Sequence, residues 1–274
     1  MQTFTYLLNG RAVSSEVEGE IIYGGPEILA DIDDDLTKST DFARAGYTVV
    51  PFLDAALRQD LRAGIESLIA GVVREAGVDE GRPFTLEDYH SLGGSDPAIH
   101  AVVVRHIARG FPLETLPIDY RLVERRIGEV IGVRVTARNE AYGLDVFNMR
   151  IVRPRSNDNN PLHRDVWLDR LRNAVNIYVP IAGSNELSSL SLVPGSHRWA
   201  EANIARTAVG ARVNGSTYTV PAVVGGKQPI DVIRPNPAAD EVLIFSPYLI
   251  HGGAVNFDEQ HTRVSVEMRF WRAA

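Results

Sequence analysis

The sequence predicts a mostly β fold, an antiparallel sandwich or barrel with helices before it, and three observations support this. Residues 145–271 contain short runs rich in β-forming residues, separated by Gly, Pro and Asn. Between these runs there is no helical segment of the length that a parallel crossover needs. Before them, the apolar residues recur with a helical period instead. The β-rich runs are DVFNMRIV (145–152), AVNIYVPIA (174–182), SSLSLVPG (188–195), EVLIFSPY (241–248) and TRVSVEMRFW (262–271).

The helical part is clearest in the stretch 53–77, where an aspartate suited to N-capping, Asp54, is followed by an apolar stripe and then by Gly77. A second helix is predicted at 116–132. Residues 1–140 are therefore expected to be largely helical and residues 141–274 to form the β core of a single domain. The stripe consists of Leu57, Leu61, Ile65, Leu68, Ile69 and Val72.

One segment of the β half has little pattern. Residues 198–240 contain NGS, VGGK and RPNP but no long β-rich run. A connection of that length inside a compact domain is usually a functional lid or a disordered segment. We expect an insertion there, between strands of the core.

Composition limits the possible functions. The 274 residues carry a net charge of −7, which argues against nucleic acid or an anionic membrane as the main partner. No cysteine is present, which excludes disulfides, thiolate metal sites and cysteine nucleophiles. The N-terminus lacks the features of a signal peptide, and no apolar run approaches the length of a membrane span, so a cytoplasmic protein is expected. The oligomeric state is not predicted.

A candidate metal site combines His163 and Asp165 with His251. Residues two apart in an extended segment point to the same side, so His163 and Asp165 can bind one ion while Arg164 points away. His251 follows the apolar run VLIFSPYLI and precedes Gly252, at the end of a strand. Two histidines and one carboxylate on one face of an iron leave positions open for a co-substrate and O₂.

A candidate carboxylate receptor lies on the last β-rich run. Alternation in TRVSVEMRFW places Arg263, Ser265 and Glu267 on one face of the strand. A guanidinium offers two parallel hydrogen bonds to a carboxylate, and a hydroxyl adds another. Such a pair near an iron would hold the far carboxylate of 2-oxoglutarate.

The ordered set His163-Arg164-Asp165, NIYVPI, LSLVPGSHRW, His251-Gly252-Gly253 and Arg263-Val264-Ser265 resembles the phytanoyl-CoA dioxygenase family of Fe(II)/2-oxoglutarate oxygenases. The opening GYTVVPFLDAALRQDLR is also similar, so the resemblance covers residues 46–271. It implies a double-stranded β-helix (a jelly roll), with Fe(II), 2-oxoglutarate and O₂ as cofactor and co-substrates. By position, the resemblance assigns iron to His163, Asp165 and His251, and the C5 carboxylate to Arg263. It adds an aromatic contact from Tyr178 and suggests a polar contact from Asn148.

The substrate region departs from that family. The loop RPRSNDNNPLH is polar, whereas an acyl-CoA enzyme needs basic residues and a long apolar slot. Asp158, Asn160 and Trp167 would suit a hydroxyl-rich, carbohydrate-like small molecule, neutral or cationic. The core resembles oxygenases of carbohydrate and antibiotic biosynthesis, including the orthosomycin-type cyclases. This resemblance implies oxidation of an unactivated C–H bond, by hydroxylation or by closure of an orthoester or methylenedioxy ring.

Three other classes remain open at this point. A jelly-roll metal enzyme that does not use 2-oxoglutarate would keep the metal ligands but have no need for Arg263 and Ser265. A zinc hydrolase could use two histidines and an aspartate, although no general-base glutamate stands beside them in the sequence. A sugar-binding jelly roll without catalysis would have no reason to keep both sites.

Overall fold

The computed structural model describes residues 1–77, 85–92, 96–157, 160–252 and 255–274. Within these residues the α-helices are α1 Leu29–Ile32, α2 Ala55–Glu75, α3 Pro97–Ile107 and α4 Tyr120–Ile131. The first nine strands are β1 Gln2–Leu8, β2 Arg11–Glu18, β3 Ile21–Ile22, β4 Tyr47–Pro51, β5 Phe111–Pro112, β6 Val135–Thr136, β7 Val146–Val152, β8 Ala174–Ala182 and β9 Ile204–Thr207. The others are β10 Arg212–Val213, β11 Ser216–Thr217, β12 Val223–Gly226, β13 Asp231–Val232, β14 Glu241–Phe245 and β15 Arg263–Arg272.

The ends of α2 and α4 follow from local signals in the sequence. The Asp54 carboxylate accepts a hydrogen bond from the Leu57 amide and so caps α2. Helix α4 ends at Gly132, whose φ of 76° is the left-handed conformation that glycine adopts without strain. The helices predicted at 53–77 and 116–132 therefore lie at Ala55–Glu75 and Tyr120–Ile131.

The central sheet is antiparallel and runs in the order β4-β14-β8-β15-β7-β5, with β6 beside β15. Its two faces differ because side chains alternate along each strand. One face is apolar and packs against α2, α3 and α4 in the largest hydrophobic cluster of the described chain. The sheet contributes Ile177, Val179, Val266, Met268 and Phe270 to that cluster.

The other face of the sheet looks into the molecule and carries polar side chains. Opposite it lies a second layer, linked by short bridges from His163 to His251, from His251 to Leu192 and from Leu192 to Ile233. The two layers enclose the interior of a double-stranded β-helix. The predicted fold class is confirmed, and both candidate sites belong to this interior.

The N-terminal residues differ from the prediction. Strands β1 and β2 form a hairpin over residues 2–18, so the description of residues 1–140 as largely helical is wrong for this stretch. The hairpin turns at Asn9-Gly10, both with positive φ. Asn-Gly is the strongest short-range hairpin signal, so the sequence does contain a local indication of this turn.

The insertion 198–240 is not a loop without structure, because it contains five short strands. Strand β10 pairs with β2, β13 pairs with β1, and β9 pairs with β3. Strands β10 and β13 have two residues each, too few to show alternation in the sequence, and their partners β2 and β1 lie more than 190 residues away along the chain. The insertion and the N-terminal hairpin thus form one structural unit.

Among the described residues, no helix combines the length and the apolar character that crossing a bilayer requires.

Candidate functional site

The three predicted metal ligands come together. His163 and His251 face each other across an antiparallel bridge, in which each amide donates to the other residue's carbonyl at 3.0 Å. Asp165 Oδ1 lies 3.3 Å from His163 Nε2 and 3.7 Å from His251 Nε2. All three side chains are buried, and their ligand atoms lie within 4.8 Å of one another.

Both imidazoles are oriented by the backbone. His163 Nδ1 lies 2.7 Å from the Pro161 carbonyl, and His251 Nδ1 lies 2.9 Å from the Leu249 carbonyl. A carbonyl only accepts, so each Nδ1 carries a proton and Nε2 is the ring nitrogen left for a metal ion. Burial and the neighbouring His163 lower the pKa of His251 to about 4, which keeps this imidazole neutral near pH 7.

A glycine makes room for one of these rings. Gly252 has a φ of 85°, and a Cβ at this position would lie 3.1 Å from the ring of His163. Glycine at this position therefore allows both the backbone turn and the close approach of the His163 imidazole. Gly253, the other glycine of the predicted turn, lies outside the described residues.

The Asp165 carboxylate has one oxygen held by the protein and one directed at the histidines. Its Oδ2 accepts hydrogen bonds from Asn176 Nδ2 and Arg269 Nε, both at 2.9 Å. Burial alone would raise the pKa of Asp165, but the charge of Arg269 and the His163 contact hold it well below the usual range. The carboxyl group is therefore an anion.

These groups fit a divalent metal ion. One nitrogen of each imidazole and one carboxylate oxygen lie within 4.8 Å of one another, and the other polar atoms of these side chains are already hydrogen-bonded. A cation satisfies all three at once, and a set of two histidines and one carboxylate suits Fe(II) with open positions. The hydrogen bonds from the far sides of the ligands are those that orient metal-binding side chains.

Sequence reasoning did not assign Asn176 and Arg269 to the metal site. Arg269 extends the alternation of Arg263, Ser265 and Glu267 by one step, so the pattern placed it on the inward face. Asn176 lies in the motif NIYVPI and is paired with Arg269 across β8 and β15. The strand register, which the sequence does not contain, was needed to identify their common partner.

The predicted carboxylate receptor is buried and has free donors. Arg263 is 1% exposed and Ser265 is fully buried. Arg263 Nε, Arg263 Nη2 and Ser265 Oγ have no hydrogen-bond partner within the described chain. The guanidinium carbon lies 5.7 Å from the ring centre of Tyr178, whose hydroxyl contacts Ser184 Oγ at 2.8 Å. A buried cation without a partner is costly, so this position fits an anion.

A cavity of about 340 Å³ opens beside Asp165. Asn148 and Asn160 line it, and Asn148 Oδ1 accepts a hydrogen bond from Arg269 Nη1 at 3.1 Å. The predicted co-substrate residue Asn148 therefore faces this cavity and supports Arg269, and it does not contact Arg263. The insertion contributes Thr219 and Val220 to the wall.

Two other predicted substrate residues are placed differently. Trp167 is not part of the lining of this cavity. Its indole donates to Glu201 Oε2 at 2.8 Å, and the Arg206 guanidinium lies 4.7 Å from its ring centre. The suggestion that Trp167 stacks on a sugar ring is thus not supported by its position, because Arg206 already covers one ring face. Asp158 lies outside the described residues.

Arg164, the residue between two of the metal ligands, stabilises the loop that carries them. Arg164 points away from the metal position, as the alternation predicted, and is fully buried. It forms an ion pair with Glu201, which also binds Arg206 at 2.6 Å. This network attaches the ligand loop to the start of the insertion.

Among the described residues, His197 and His261 do not belong to the group of possible metal ligands. His197 Nε2 donates to the Ala43 carbonyl at 2.9 Å, and His261 Nδ1 lies 3.0 Å from Asp258 Oδ2. Both therefore have partners of their own, in agreement with the sequence reasoning that kept PGSHRW and the hairpin tip out of the metal site.

The sequence matches no family model and no curated protein. Among solved structures, EctD from S. alaskensis with 2-oxoglutarate and 5-hydroxyectoine is similar, with a TM-score of 0.52 and 14% identity over 93% of this chain and 84% of that chain. AviO1 from Streptomyces viridochromogenes Tue57 has a TM-score of 0.46 and 16% identity over 92% of this chain and 97% of that chain. The epimerase SnoN in complex with Fe3+, alpha ketoglutarate and nogalamycin RO has a TM-score of 0.48 and 15% identity, covering 85% and 81%. At these identities, the likeness to EctD shows the fold.

Proposed function

We propose that this protein is a non-haem Fe(II)/2-oxoglutarate-dependent oxygenase. The observation that supports this most strongly is that one interior contains two complementary sites. His163, Asp165 and His251 form a site that needs a cation, and Arg263 with Ser265 forms a site that needs an anion. A metal enzyme without 2-oxoglutarate has no use for the second site, and a protein of the same fold has been crystallised with 2-oxoglutarate.

In this proposal the protein positions the reactants and excludes water. The imidazoles and the Asp165 carboxylate would hold the iron, and Arg263 would hold the C5 carboxylate of 2-oxoglutarate, with Ser265 and Tyr178 beside it. When bound, iron and 2-oxoglutarate supply the oxidising chemistry with O₂, and 2-oxoglutarate is converted to succinate and CO₂. Arg269 and Asn176 would keep Asp165 ionised and correctly oriented throughout.

The test is anaerobic addition of 2-oxoglutarate to the Fe(II)-loaded protein. Binding at both sites should produce the metal-to-ligand charge-transfer absorption that 2-oxoglutarate gives when it chelates iron. Exposure to air should then release succinate. If Fe(II) binds but neither the absorption nor succinate appears, a metal-dependent enzyme that does not use 2-oxoglutarate becomes the better interpretation.

For the substrate, we propose a hydroxyl-rich small molecule that also carries an acidic group. Asn148, Asn160 and Thr219 offer the cavity polar side chains suited to hydroxyl groups. Arg109 and Arg170 also line it, and each is exposed. The other two arginines of the lining, Arg150 and Arg269, already have carboxylate partners in Glu267 and Asp165. The unbalanced charge at the rim is therefore positive, although the chain as a whole is acidic. We therefore propose an acidic substrate in place of the neutral or cationic one that the net charge of the chain predicted.

A panel of substrates tests this proposal. Sugar acids and sugar phosphates should stimulate succinate release more than the matching neutral sugars and aminoglycosides. Replacing both Arg109 and Arg170 with glutamine should remove that preference, and should leave 2-oxoglutarate binding unchanged. Equal stimulation by neutral and acidic members of the panel would refute the acidic group. Stimulation by an acyl-CoA alone would refute the hydroxyl-rich substrate as well.

We further propose that the insertion 198–240 covers the bound substrate, because Thr219 and Val220 lie in the cavity wall. Amide hydrogen exchange in residues 216–222 should slow when substrate binds. Unchanged exchange at saturating substrate would leave the insertion with a structural role only.

A further inference from the structure

A second buried arginine, Arg234, lies near Arg263. Its neighbour Ile233 packs against the hydrophobic cluster that contains Tyr178, and the ring centre of Tyr178 lies 5.7 Å from the Arg263 guanidinium carbon. Arg234 follows β13 in the insertion, is 7% exposed, and donates through Nη2 to the Val255 carbonyl. Its Nε and Nη1 have no hydrogen-bond partner within the part of the chain that the structure describes. Among the described residues, Arg263 Nε and Nη2 also have no hydrogen-bond partner. Two buried guanidinium groups therefore present free donors.

The two charges act on each other without a carboxylate between them. Burial, followed by the charge of Arg263, lowers the pKa of Arg234 to about 10, so Arg234 remains protonated at neutral pH. No described carboxylate forms an ion pair with Arg234 or Arg263. By contrast, Arg164 has Glu201 and Arg269 has Asp165 as partners. Like charges buried together are unfavourable unless an anion joins them.

We propose that Arg234 and Arg263 together bind the distal carboxylate of the 2-oxo acid co-substrate. This inference rests on the proposed function, and it adds a residue from the insertion to a site otherwise built by β8 and β15. Four guanidinium nitrogen atoms without partners in the described chain, with the Ser265 hydroxyl, can surround both oxygens of one carboxylate.

The position of Arg234 depends on the N-terminal hairpin. The Arg234 amide donates to Asn9 Oδ1 at 3.1 Å, and β13 pairs with β1. The Arg234 guanidinium also lies 5.7 Å from the ring centre of Phe257. The unit formed by the hairpin and the insertion would thereby provide one wall of the co-substrate site.

The pairing also predicts selectivity among 2-oxo acids. 2-Oxobutyrate can chelate iron as 2-oxoglutarate does, but it has no distal carboxylate to place between the two guanidiniums. Binding it would leave both charges unpaired, so the wild-type protein should strongly prefer 2-oxoglutarate. Removal of the Arg234 side chain should weaken the binding of 2-oxoglutarate and leave the binding of 2-oxobutyrate unchanged.

The experiment is anaerobic titration of the Fe(II) protein with each 2-oxo acid, by calorimetry and by the charge-transfer absorption. Arg234→Met should weaken 2-oxoglutarate binding by about 10- to 100-fold, because a charge-assisted contact is lost. Arg234→Lys should recover part of the loss. Iron affinity should remain that of the wild type in both variants. Arg212→Met is the matched control, since Arg212 lies in the same insertion and is exposed.

Thermal unfolding separates binding from a structural role. Without co-substrate, Arg234→Met should lower Tm by less than about 3 °C, because it removes an incompletely paired buried charge. The increase in Tm caused by 2-oxoglutarate should shrink. Wild-type affinity for 2-oxoglutarate in Arg234→Met, with weakened affinity in Arg263→Ala, would overturn this inference and leave the proposed function standing. Failure of the wild-type Fe(II) protein to bind 2-oxoglutarate would overturn both.

Discussion

The metal position and the carboxylate receptor lie in the same interior but differ in whether their polar atoms have hydrogen-bond partners. At the metal position, both Nδ1 atoms and Asp165 Oδ2 have partners within 2.9 Å, and only the atoms that face the metal are left. At the receptor, Arg263 Nε, Arg263 Nη2 and Ser265 Oγ lack partners in the described chain.

This difference follows from the ligands that the two positions suit. A metal site needs rigid ligands whose free lone pairs converge, so the protein holds the far side of each ligand. An anion site needs free N–H and O–H donors, so the protein buries them and supplies no acceptor. A variant at the metal position should change iron affinity first, and a variant at the receptor should change 2-oxoglutarate affinity alone.

The largest effect is expected from removing a metal ligand. His163→Ala and His251→Ala should each weaken Fe(II) binding by more than about 100-fold, since changes to outer hydrogen bonds alone cost 10- to 100-fold. Anaerobic Fe(II) titration measures this, with His261→Ala as the control because His261 binds Asp258 at the surface. Unchanged affinity and stoichiometry in both variants would refute the metal assignment.

Removing the receptor arginine should have the next largest effect. Arg263→Ala should weaken 2-oxoglutarate binding by roughly 30- to 1000-fold, which corresponds to about 2–4 kcal/mol. Arg263→Lys should restore only part, because an ammonium group cannot donate two parallel hydrogen bonds. Iron affinity should stay at the wild-type value in both variants. A loss of iron binding in Arg263→Ala would mean that the two positions are not independent.

Arg269 tests the boundary between the two positions, because it shares a strand face with Arg263 but binds Asp165. Arg269→Met should weaken Fe(II) binding by about 10- to 100-fold, the usual cost of losing an outer-shell partner. Arg272→Met, which removes an exposed ion pair to Asp34, is the control on the same strand. If Arg269→Met instead weakened only 2-oxoglutarate binding, Arg269 would belong to the receptor.

The smallest effect is expected from Ser265→Ala. It removes one neutral donor and should weaken 2-oxoglutarate binding by about tenfold or less. Titration of the Fe(II) protein with 2-oxoglutarate measures the change. An effect as large as that of Arg263→Ala would show that the hydroxyl, and not the guanidinium, dominates the receptor.

The sequence by itself determined the local features of both positions. The spacing of His163 and Asp165 fixed their common side, and alternation along β15 fixed the inward direction of Arg263 and Ser265. The capping residue Asp54 and the terminal Gly132 fixed the ends of two helices. Each of these depends on the backbone geometry of a few adjacent residues, which a sequence pattern records directly.

Only the tertiary structure decided which distant residues meet. Strand order decides the bridge between His163 and His251 and the register that joins Asn176 and Arg269 at Asp165. It also decides the packing of Ile233, next to Arg234, against the cluster that contains Tyr178. The periodicity of a strand states which way a side chain points, but not which strand lies next to it. For the same reason, the sequence did not show that Arg206 lies over one face of the Trp167 ring. The sign of charge in the cavity differs from that of the whole chain, because folding selects which arginines line it.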